Sequence, residues 1–488
     1  MPGVRPIRQR ALTCLRKRQT VLLLASAASF LHAAGCTHIE PQPLEPKRSL
    51  EMLEQRRLTD ADVLARVQAA FPDSERAPQA TWDRGELLVA ALHLNPALAE
   101  ARSRITQAAA ALPTARALQN PIVSLASEYN LSRAAEPTWL WGISSSVLLD
   151  TFLSRNLRTQ IAATGVRGAR ADFADAVWSA RRELRIALLS VVIAERRVPT
   201  LELQTQWRDE LVRLSRARVS AGEAARPDAL QAELELVRSR VALEDARRAQ
   251  AEARAKLAAT VGVSMTALNG ALLRWDDLEQ LSLPPQSQLA ALRERALLAR
   301  PDLERAIADY DTRELELRQQ IRAQYPQVAL GPGYTWDHGV RKITLGASLS
   351  LPIFNRNQGP IGEALARREA AGQHALAVQA RILNELEAQT QLYVSALSAL
   401  DRAREQRAVS EALAQSARNA LAIDAQDRPT TVSAEVAVGT ERLAELDALE
   451  RAHLMLGQLE DALRAPLFGP ETALLRDGSL SAVPADSP

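Results

Sequence analysis

The chain repeats itself once, at long range. Asn95-Pro96-Ala97-Leu98 returns as Arg300-Pro301-Asp302-Leu303, and Asn120-Pro121-Ile122-Val123 returns as Tyr325-Pro326-Gln327-Val328, both at an offset of 205 residues. Further on the offset is 202: Phe152 returns as Phe354, Arg226-Pro227-Asp228 as Arg428-Pro429-Thr430, and Ala232-Glu233 as Ala434-Glu435. The matches fall on Pro, Asn and Phe, where helical low complexity does not produce coincidences. So long a period does not suit a solenoid and marks a duplicated half-protein. Each half reads in one order. A helix (85–118, then 287–322) leads to two strands, then a very long helix (156–220, then 357–422), a turn and a return helix (226–260, then 429–464). Pro199 stands in the long helix of the first half alone and predicts a kink or break there.

All four strand segments alternate with period two, the pattern of strands with two different faces. The clearest is Ile343, Leu345, Ala347, Leu349 and Leu351, interleaved with Thr344, Gly346, Ser348 and Ser350. Pro352 stops it, and Asn355 or Asn357 is placed to cap the helix that follows. Val123, Leu125 and Tyr129 share one face of the first strand; Trp139, Trp141, Ile143, Val147 and Leu149 share one face of the second. Val328, Leu330, Tyr334 and Trp336 do so on the third. The opposite faces carry Ser, Gly, Thr and Ala, which suit a wet lumen better than a bulk surface. Of 18 aromatics in the chain, eight lie at 121–154 and 325–354, mostly on the apolar face near strand ends. Outer-membrane barrels carry their interfacial girdles there.

Four strands cannot close a barrel, and open edges in lipid leave backbone groups unsatisfied at several kcal/mol each. A membrane-spanning reading therefore requires further copies of the chain to complete the wall. No stretch is long and apolar enough for a transmembrane helix, so any crossing uses strands. A helix of 65 residues is on the order of 100 Å long, far more than a bilayer is thick. Leu230, Leu234, Val237 and Val241 step by four, three and four, as do Val432, Val436, Gly439 and Leu443, a heptad seam in each return helix.

The N-terminus reads as a targeting signal. Arg5, Arg8, Arg10, Arg16, Lys17 and Arg18 precede the apolar stretch Val21 to Leu31, and Ala33-Ala34-Gly35-Cys36 follows. Small residues directly before a cysteine resemble the bacterial lipoprotein cleavage site, with Cys36 as the acylated first residue. An ordinary secretory signal cut nearby is the alternative. Cys14 lies in the removed part, so the mature chain has no disulfide. Residues 37 to about 80 begin Pro-rich and read as an external tether.

Net charge is +2 with 24% charged residues of both signs, which gives no electrostatic case for nucleic acid. There is no Gly-rich phosphate loop, no HExxH and no CxxC. Six scattered histidines and four methionines make no ligand set, so no catalytic residue, cofactor or metal site is expected.

The stretch W-D-R-G-E-L-L-V-A-A-L-H-L-N-P-A-L-A-E-A-R from Trp82, its echo A-L-L-A-R-P-D-L-E-R-A, the paired strands and S-L-P-I-F-N-R-N-Q-G-P-I-G-E-A resemble the TolC-type outer-membrane efflux channels. The resemblance covers about residues 80–465. P-I-F-N-R-N-Q-G is most similar to the branch that serves heavy-metal cation pumps. The resemblance implies a mainly α fold with a small β part, in which four strands per protomer join a trimeric 12-stranded outer-membrane β-barrel. A long α-helical coiled-coil tunnel continues it into the periplasm. Implied partners are a periplasmic adaptor protein, an inner-membrane resistance–nodulation–division pump and outer-membrane lipid.

The expected layout is a signal peptide at 1–35, a lipid-anchored tether at 36–80, repeats at 81–280 and 281–465, and a flexible tail at 466–488. Lipid-facing strand residues would be Val123, Leu125, Trp139, Trp141, Ile143, Val328, Leu330, Ile343, Leu345 and Leu349. The family often narrows its periplasmic end with aspartates in a D-V-L-D-A pattern; here that stretch is Thr430-Thr431-Val432-Ser433-Ala434. The candidate constriction is therefore Asp424, Asp427, Thr430 and Ser433 with Asp228, solvated turn residues being the alternative. The competing function is a lipid-anchored periplasmic coiled-coil scaffold without a pore.

Overall fold

The computed structural model describes residues 39–72, 81–129, 131, 139–337 and 339–475; Cys36 and the tail from 476 lie outside the described residues. The chain divides into a short unit ending at Met52 and a large unit from Leu53. A helix, α1 (Pro46–Gln55), runs across that division. In the large unit the order is α2 (Ala61–Ala70), β1 (Thr81–Trp82), α3 (Arg84–Leu94), α4 (Pro96–Arg116), β2 (Ile122–Tyr129), β3 (Trp139–Leu148), α5 (Asp150–Ser220) and α6 (Arg226–Val261). There follow α7 (Met265–Leu268), β4 (Leu272–Leu273), α8 (Gln286–Ala299), α9 (Pro301–Arg322), β5 (Gln327–Asp337), β6 (Val340–Ser350), α10 (Gln358–Ala422), α11 (Arg428–Leu463) and α12 (Glu471–Leu475). The two halves thus carry the same elements in the same order.

The helices at 85–118 and 287–322 are each two helices, not one. Both break before the proline, at Asn95-Pro96 and Arg300-Pro301. Proline disfavours the α conformation of the residue before it and is itself at home in the first helical turn. Conversely, α5 runs unbroken through Pro199. Pro199 is exposed, so its ring does not displace the packed face of the helix, and the expected break is absent.

α5 packs on α6, α10 packs on α11, and α5 also packs on α11, which places α6 and α10 on opposite flanks. The main core lies where α2, α3, α5 and α6 meet, around Leu87, Leu88, Leu184, Leu188, Leu257 and Val261. A second core joins α8, α9, α10 and α11 around Ile382, Tyr393, Leu456 and Leu459.

Two of the expected segment characters need correction. The tether is not external beyond residue 57: Leu58, Val63 and Val67 are buried in the main core, and the Arg56 guanidinium donates to the Leu94 carbonyl at 2.6 Å. The tail is not loose from 466. Leu467 is buried in the second core, its amide donates to Glu460 at 2.7 Å, and Glu471 is buried against Arg181. In both segments apolar anchors outweigh the Pro and polar residues on which the loose reading rested.

The heptad seams also divide. In α11, Val432 is fully buried, Gly439 packs on Gln204, and Leu443 packs beside Leu201 and Leu243. In α6, Leu230, Leu234, Val237 and Val241 are all exposed, and the face turned inward is instead Ala229, Leu236, Leu243 and Ala246. The seam predicted for α6 has no cover among the described residues.

Candidate barrel wall and helical tip

β2, β3, β5 and β6 form one antiparallel sheet in that order, with β2 and β6 at its edges. The register explains why alternation in four separate segments yields a single apolar surface. Leu125 lies opposite Ile143, Ile143 opposite Tyr334, and Tyr334 opposite Ile343. Tyr129 pairs with Trp139, Trp141 with Trp336, Val147 with Leu330, Val328 with Leu349 and Pro332 with Leu345. Every sequence-predicted lipid-facing residue therefore falls on one face. The other face, through Ser124, Ser144, Gly333 and Thr344, is small and polar. A one-residue slip of any strand would have scattered the apolar set between faces.

The apolar face is bare. Ile343 is 88% exposed, Leu345 80% and Leu125 79%, with Val123, Trp139, Trp141, Ile143, Leu330 and Leu349 exposed as well. Tyr129 and Trp139 stack with ring centroids 4.9 Å apart, and Trp141 and Tyr334 at 5.6 Å, so the aromatics brace one another across strands. Exposed apolar residues scattered singly are ordinary on a soluble surface, but a contiguous sheet face of this kind marks a buried or membrane-facing surface.

Strand β5 holds Gly331-Pro332-Gly333 although it is internal to the sheet. A Cβ at residue 331 would lie 1.5 Å from the Ser145 carbonyl oxygen, so the backbones of β3 and β5 approach there as only glycine permits. The regular pairing of β3 with β5 lapses between Ser144 and Val147, which accommodates the proline's missing N–H.

At the far end of the long helices lie the turns α5–α6 and α10–α11. Asp427 caps α11, its Oδ1 accepting from the Thr430 amide at 3.1 Å. The side-chain and backbone hydrogen bonds from Thr430 hold the Asp427 carboxyl below the usual carboxylate range. Asp228 accepts from the Ala225 amide at 3.2 Å, and the Ser433 hydroxyl donates to the Pro429 carbonyl at 2.9 Å. Asp424 is exposed in left-handed conformation, φ 53°, and its carboxylate has no hydrogen-bond partner among the described residues. The structure thus commits Asp427, Asp228 and Ser433 to local caps and bonds, and leaves Asp424 free. Arg428 bridges the two hairpins by an ion pair to Glu210 at 2.8 Å and approaches the Trp207 ring.

A third constellation escaped the sequence reading. Arg181 and Arg185 of α5 are buried with Glu460 and Asp461 of α11 and Glu471 of α12. Arg181 Nε donates to Glu471 at 2.7 Å and its Nη2 to Glu460 at 2.8 Å; Arg185 lies 3.1 Å from Glu460. Burial alone would raise the Glu460 carboxyl, but Arg185 and Arg181 hold it down at about 2. Asp461, less well paired, is pushed by burial up to about 6. His453 is buried beside them, its Nε2 at 2.7 Å from the Leu278 carbonyl and its ring edge-on to Trp275. Burial, then the nearby Arg185, lower it to about 3, so it is neutral, as a packed histidine should be. No signal short of three-dimensional structure distinguishes these arginines and glutamates from the many others on solvated helical faces.

Among the described residues, no group of three or more His, Cys, Asp or Glu side chains is arranged to hold a metal ion, and no helix is long and apolar enough to cross a membrane. Phe152 is described in its backbone only.

With this geometry in view, comparisons with known proteins agree with it. Residues 87–263 match the family model of the outer membrane efflux proteins. The chain is similar to the cobalt-zinc-cadmium resistance protein CzcC of Cupriavidus metallidurans, 28% identical over 237 residues, covering 47% of this chain and 54% of that protein. It therefore spans about half the length of the curated relative it matches. In structure it is similar to the outer membrane protein VceC of Vibrio cholerae, with TM-score 0.61 and 18% identity over 78% of this chain and 95% of that one. It is also similar to the open state of the MtrE outer membrane channel of Neisseria gonorrhoeae, with TM-score 0.62 and 17% identity over 88% and 98%. At such identities the structural likeness speaks for the fold: mainly helical, with a small sheet, as in those channels. Residues 87–263 are thus similar to the outer membrane efflux proteins, and the fold of the chain is that of these solved channels.

Proposed function

We propose that the protein is the outer-membrane channel of a tripartite efflux system, a passive homotrimeric duct. The observation that carries this reading is the bare, continuous apolar face of a four-stranded sheet with two unpaired edges. Three copies, each pairing its β6 edge with the next copy's β2, give a closed wall of 12 strands, about the smallest class of barrel that leaves room for a passage. The exposed seam of Leu230, Leu234, Val237 and Val241 on one flank of the helical layer is then covered by the neighbouring copy. The small polar face lines the lumen, and the long helices continue it toward a periplasmic adaptor and an inner-membrane resistance–nodulation–division pump, which supplies the energy and selects the cargo. Likeness to a cobalt-zinc-cadmium resistance protein favours heavy-metal cations as that cargo. Asp424, with Asp427 beside it and Thr430, Ser433 and Asp228 around it, forms the negative ring at the entrance, where carboxylates concentrate cations. Acylated Cys36 tethers the chain to the outer membrane.

Replacing Leu345 and Leu349 by Arg tests the carrying observation, since Arg on a lipid face costs about 2–4 kcal/mol at mid-bilayer. The double variant is expected to lose heat-modifiable trimers from the outer-membrane fraction and to give no conductance in planar bilayers. Normal insertion of that variant would sink the barrel reading. Asp424→Asn is expected to lower cation selectivity in the same bilayers, and unchanged selectivity would return Asp424 to a plain solvated turn.

A further inference from the structure

The sheet meets the long helices at one end, where four stretches of chain converge. Arg158 of α5 donates to the Ala117 carbonyl just after α4, at 3.3 Å. The Leu149 amide donates to the Val328 carbonyl of β5 at 2.9 Å. The Asn357 side-chain amide donates to the Gln320 carbonyl of α9 at 2.8 Å and to its Oε1 at 3.0 Å. These bonds gather the ends of α4 and α9 and the starts of α5 and α10 into one collar.

Within the collar, the turn from Leu351 to Asn357 is stiff. The Ile353 amide donates to the Leu351 carbonyl, the Asn357 amide donates to Asn355 Oδ1 at 2.8 Å, and Asn357 sits at φ 63°. Although Asn357 occupies the cap position of α10, its side chain caps nothing; it nails the turn to α9. The result is that Phe354 is held fully exposed, at 102%, with Ile353 at 69% beside it. Tyr325, Leu118 and Leu351 are exposed in the same collar. A soluble surface has no reason to fasten a phenyl ring outward.

The charge of the collar is one-sided. Residues 115–121, 149–160, 319–326 and 351–361 contain Arg116, Arg155, Arg158, Arg322 and Arg356 against the single carboxylate Asp150. Arg116, Arg155 and Arg356 are exposed and have no ion-pair partner among the described residues. The other end of the sheet is mixed in sign, with Glu128, Asp337, Arg341 and Lys342, and there Lys342 pairs with Asp337. Most arginines along the long helices are likewise paired, as Arg216 is with Glu233 and Arg247 with Glu202.

We propose that this collar binds anionic phospholipid headgroups of the leaflet on the helical side, with Phe354 and Ile353 among the acyl chains and Arg116, Arg155 and Arg356 on the phosphates. The proposal rests on the barrel reading of the sheet. Apolar and cationic groups side by side match the boundary where acyl chains give way to charged headgroups, and each Arg near an anionic surface adds to the attraction. A free phosphate would engage the arginines but give Phe354 no partner, so the lipid is the occupant that uses both halves of the surface.

The test uses the full chain reconstituted in vesicles of phosphatidylcholine alone or mixed with phosphatidylglycerol. Phe354→Trp fluorescence is expected to be quenched by lipids brominated near the headgroup. Mass spectrometry of the gently extracted protein is expected to find phosphatidylglycerol retained over phosphatidylcholine. The triple variant R116Q/R155Q/R356Q should retain about tenfold less or lower still, with wild-type conductance, and R116K/R155K/R356K should restore retention. Equal retention of the two lipids by the wild type, or unquenched fluorescence of the Phe354→Trp variant, would overturn the proposal. So would a triple Gln variant that keeps its lipid but changes ion selectivity, since the arginines would then line the passage. Absence of wild-type conductance in either vesicle would instead overturn the barrel reading, and this inference with it.

Discussion

The two halves adopt the same backbone where their sequences differ most. Gly222 ends the first hairpin turn at φ 77°, and its counterpart 202 residues on, Asp424, holds φ 53°. Gly262 closes α6 at φ 92°, and its counterpart Arg464 closes α11 at φ 47°. In each pair the first half uses glycine and the second a residue that the left-handed region disfavours. The junctions before Pro96 and Pro301 differ likewise. Asn95 caps α4 by accepting from the Ala97 amide and donates to the Thr260 carbonyl at the end of α6. Arg300 donates to the Ala462 carbonyl at the equivalent end of α11, and to Asp302 and Glu385. What duplication has kept is a backbone position and the tie across it, not the side chain that makes the tie.

The sharpest way to break this equivalence is at the helix ends. A Cβ on residue 262 would lie 2.6 Å from the Leu94 carbonyl oxygen, in addition to the left-handed backbone. Gly262→Ala is expected to cost about 3 kcal/mol or more, by the combined strain and clash. Arg464→Gly, at the matching position, is expected to cost less, because relief of the backbone offsets the lost ion pair with Asp175. Equal losses in thermal-melt assays of the two variants would show that the ends are not interchangeable.

Next come the ties. Arg300→Ala strands the Ala462 carbonyl and two carboxylates in a mostly buried place, with an expected loss of about 3 kcal/mol. Asn95→Ala removes one cap and one buried bond, at about 1–2 kcal/mol. A larger loss for Asn95→Ala would reverse the order argued from burial of charge.

The halves also differ at the buried charges. Glu460 and Asp461 match Ala258 and Ala259 of the first half, so only one return helix carries them. Asp461, raised to about 6, takes up a proton on folding as pH falls from 6 toward 4, which adds stability. His453, lowered to about 3, refuses the proton that the unfolded chain accepts below its ordinary value of 6.5, which removes stability over the same range. The two nearly cancel. Glu460, held at about 2, adds a loss only as pH falls below the ordinary glutamate value toward 2. Wild-type stability is therefore expected to be flat from pH 6 to 4 and to fall below, whereas Asp461→Asn, with His453 uncompensated, should fall steadily from pH 6.5 downward, by about 3 kcal/mol at pH 4. Parallel pH profiles for the two proteins would remove Asp461 from this account. The smallest effect is expected at the tip. Asp424→Gly should stabilise by about 0.5–1 kcal/mol in chemical denaturation, bringing the second turn to the chemistry of the first.

The fold was readable where single residues act locally. Alternation placed Leu125, Ile143, Tyr334 and Ile343 on one face before the register joined them, because the pleat alone decides the side. Prolines and their neighbours revealed the duplication for the same reason. The breaks before Pro96 and Pro301 were equally local, but the apolar rhythm on either side concealed them. At Pro199 the break does not occur, since the cost of a proline depends on which face of the helix it occupies, and that is a tertiary property. The seam of Leu230 and Val237 has heptad spacing yet turns away from its own hairpin, where Ala229, Leu236 and Leu243 are buried instead. The candidate tip residues were found as a turn, but not which of them are spent on capping. Arg181, Glu460 and Glu471 were illegible, since 60 basic and 58 acidic residues offer no local mark for the few that become buried.

Glu471 of α12 and Glu460 of α11 together neutralise Arg181, which lies near the middle of the first long helix. During synthesis that arginine waits for 279 further residues before the first of these counter-charges exists and 290 before the second. Without α12 the protein would keep every long helix, every strand and the Glu460 carboxylate, but Arg181 Nε would lose its partner in the interior.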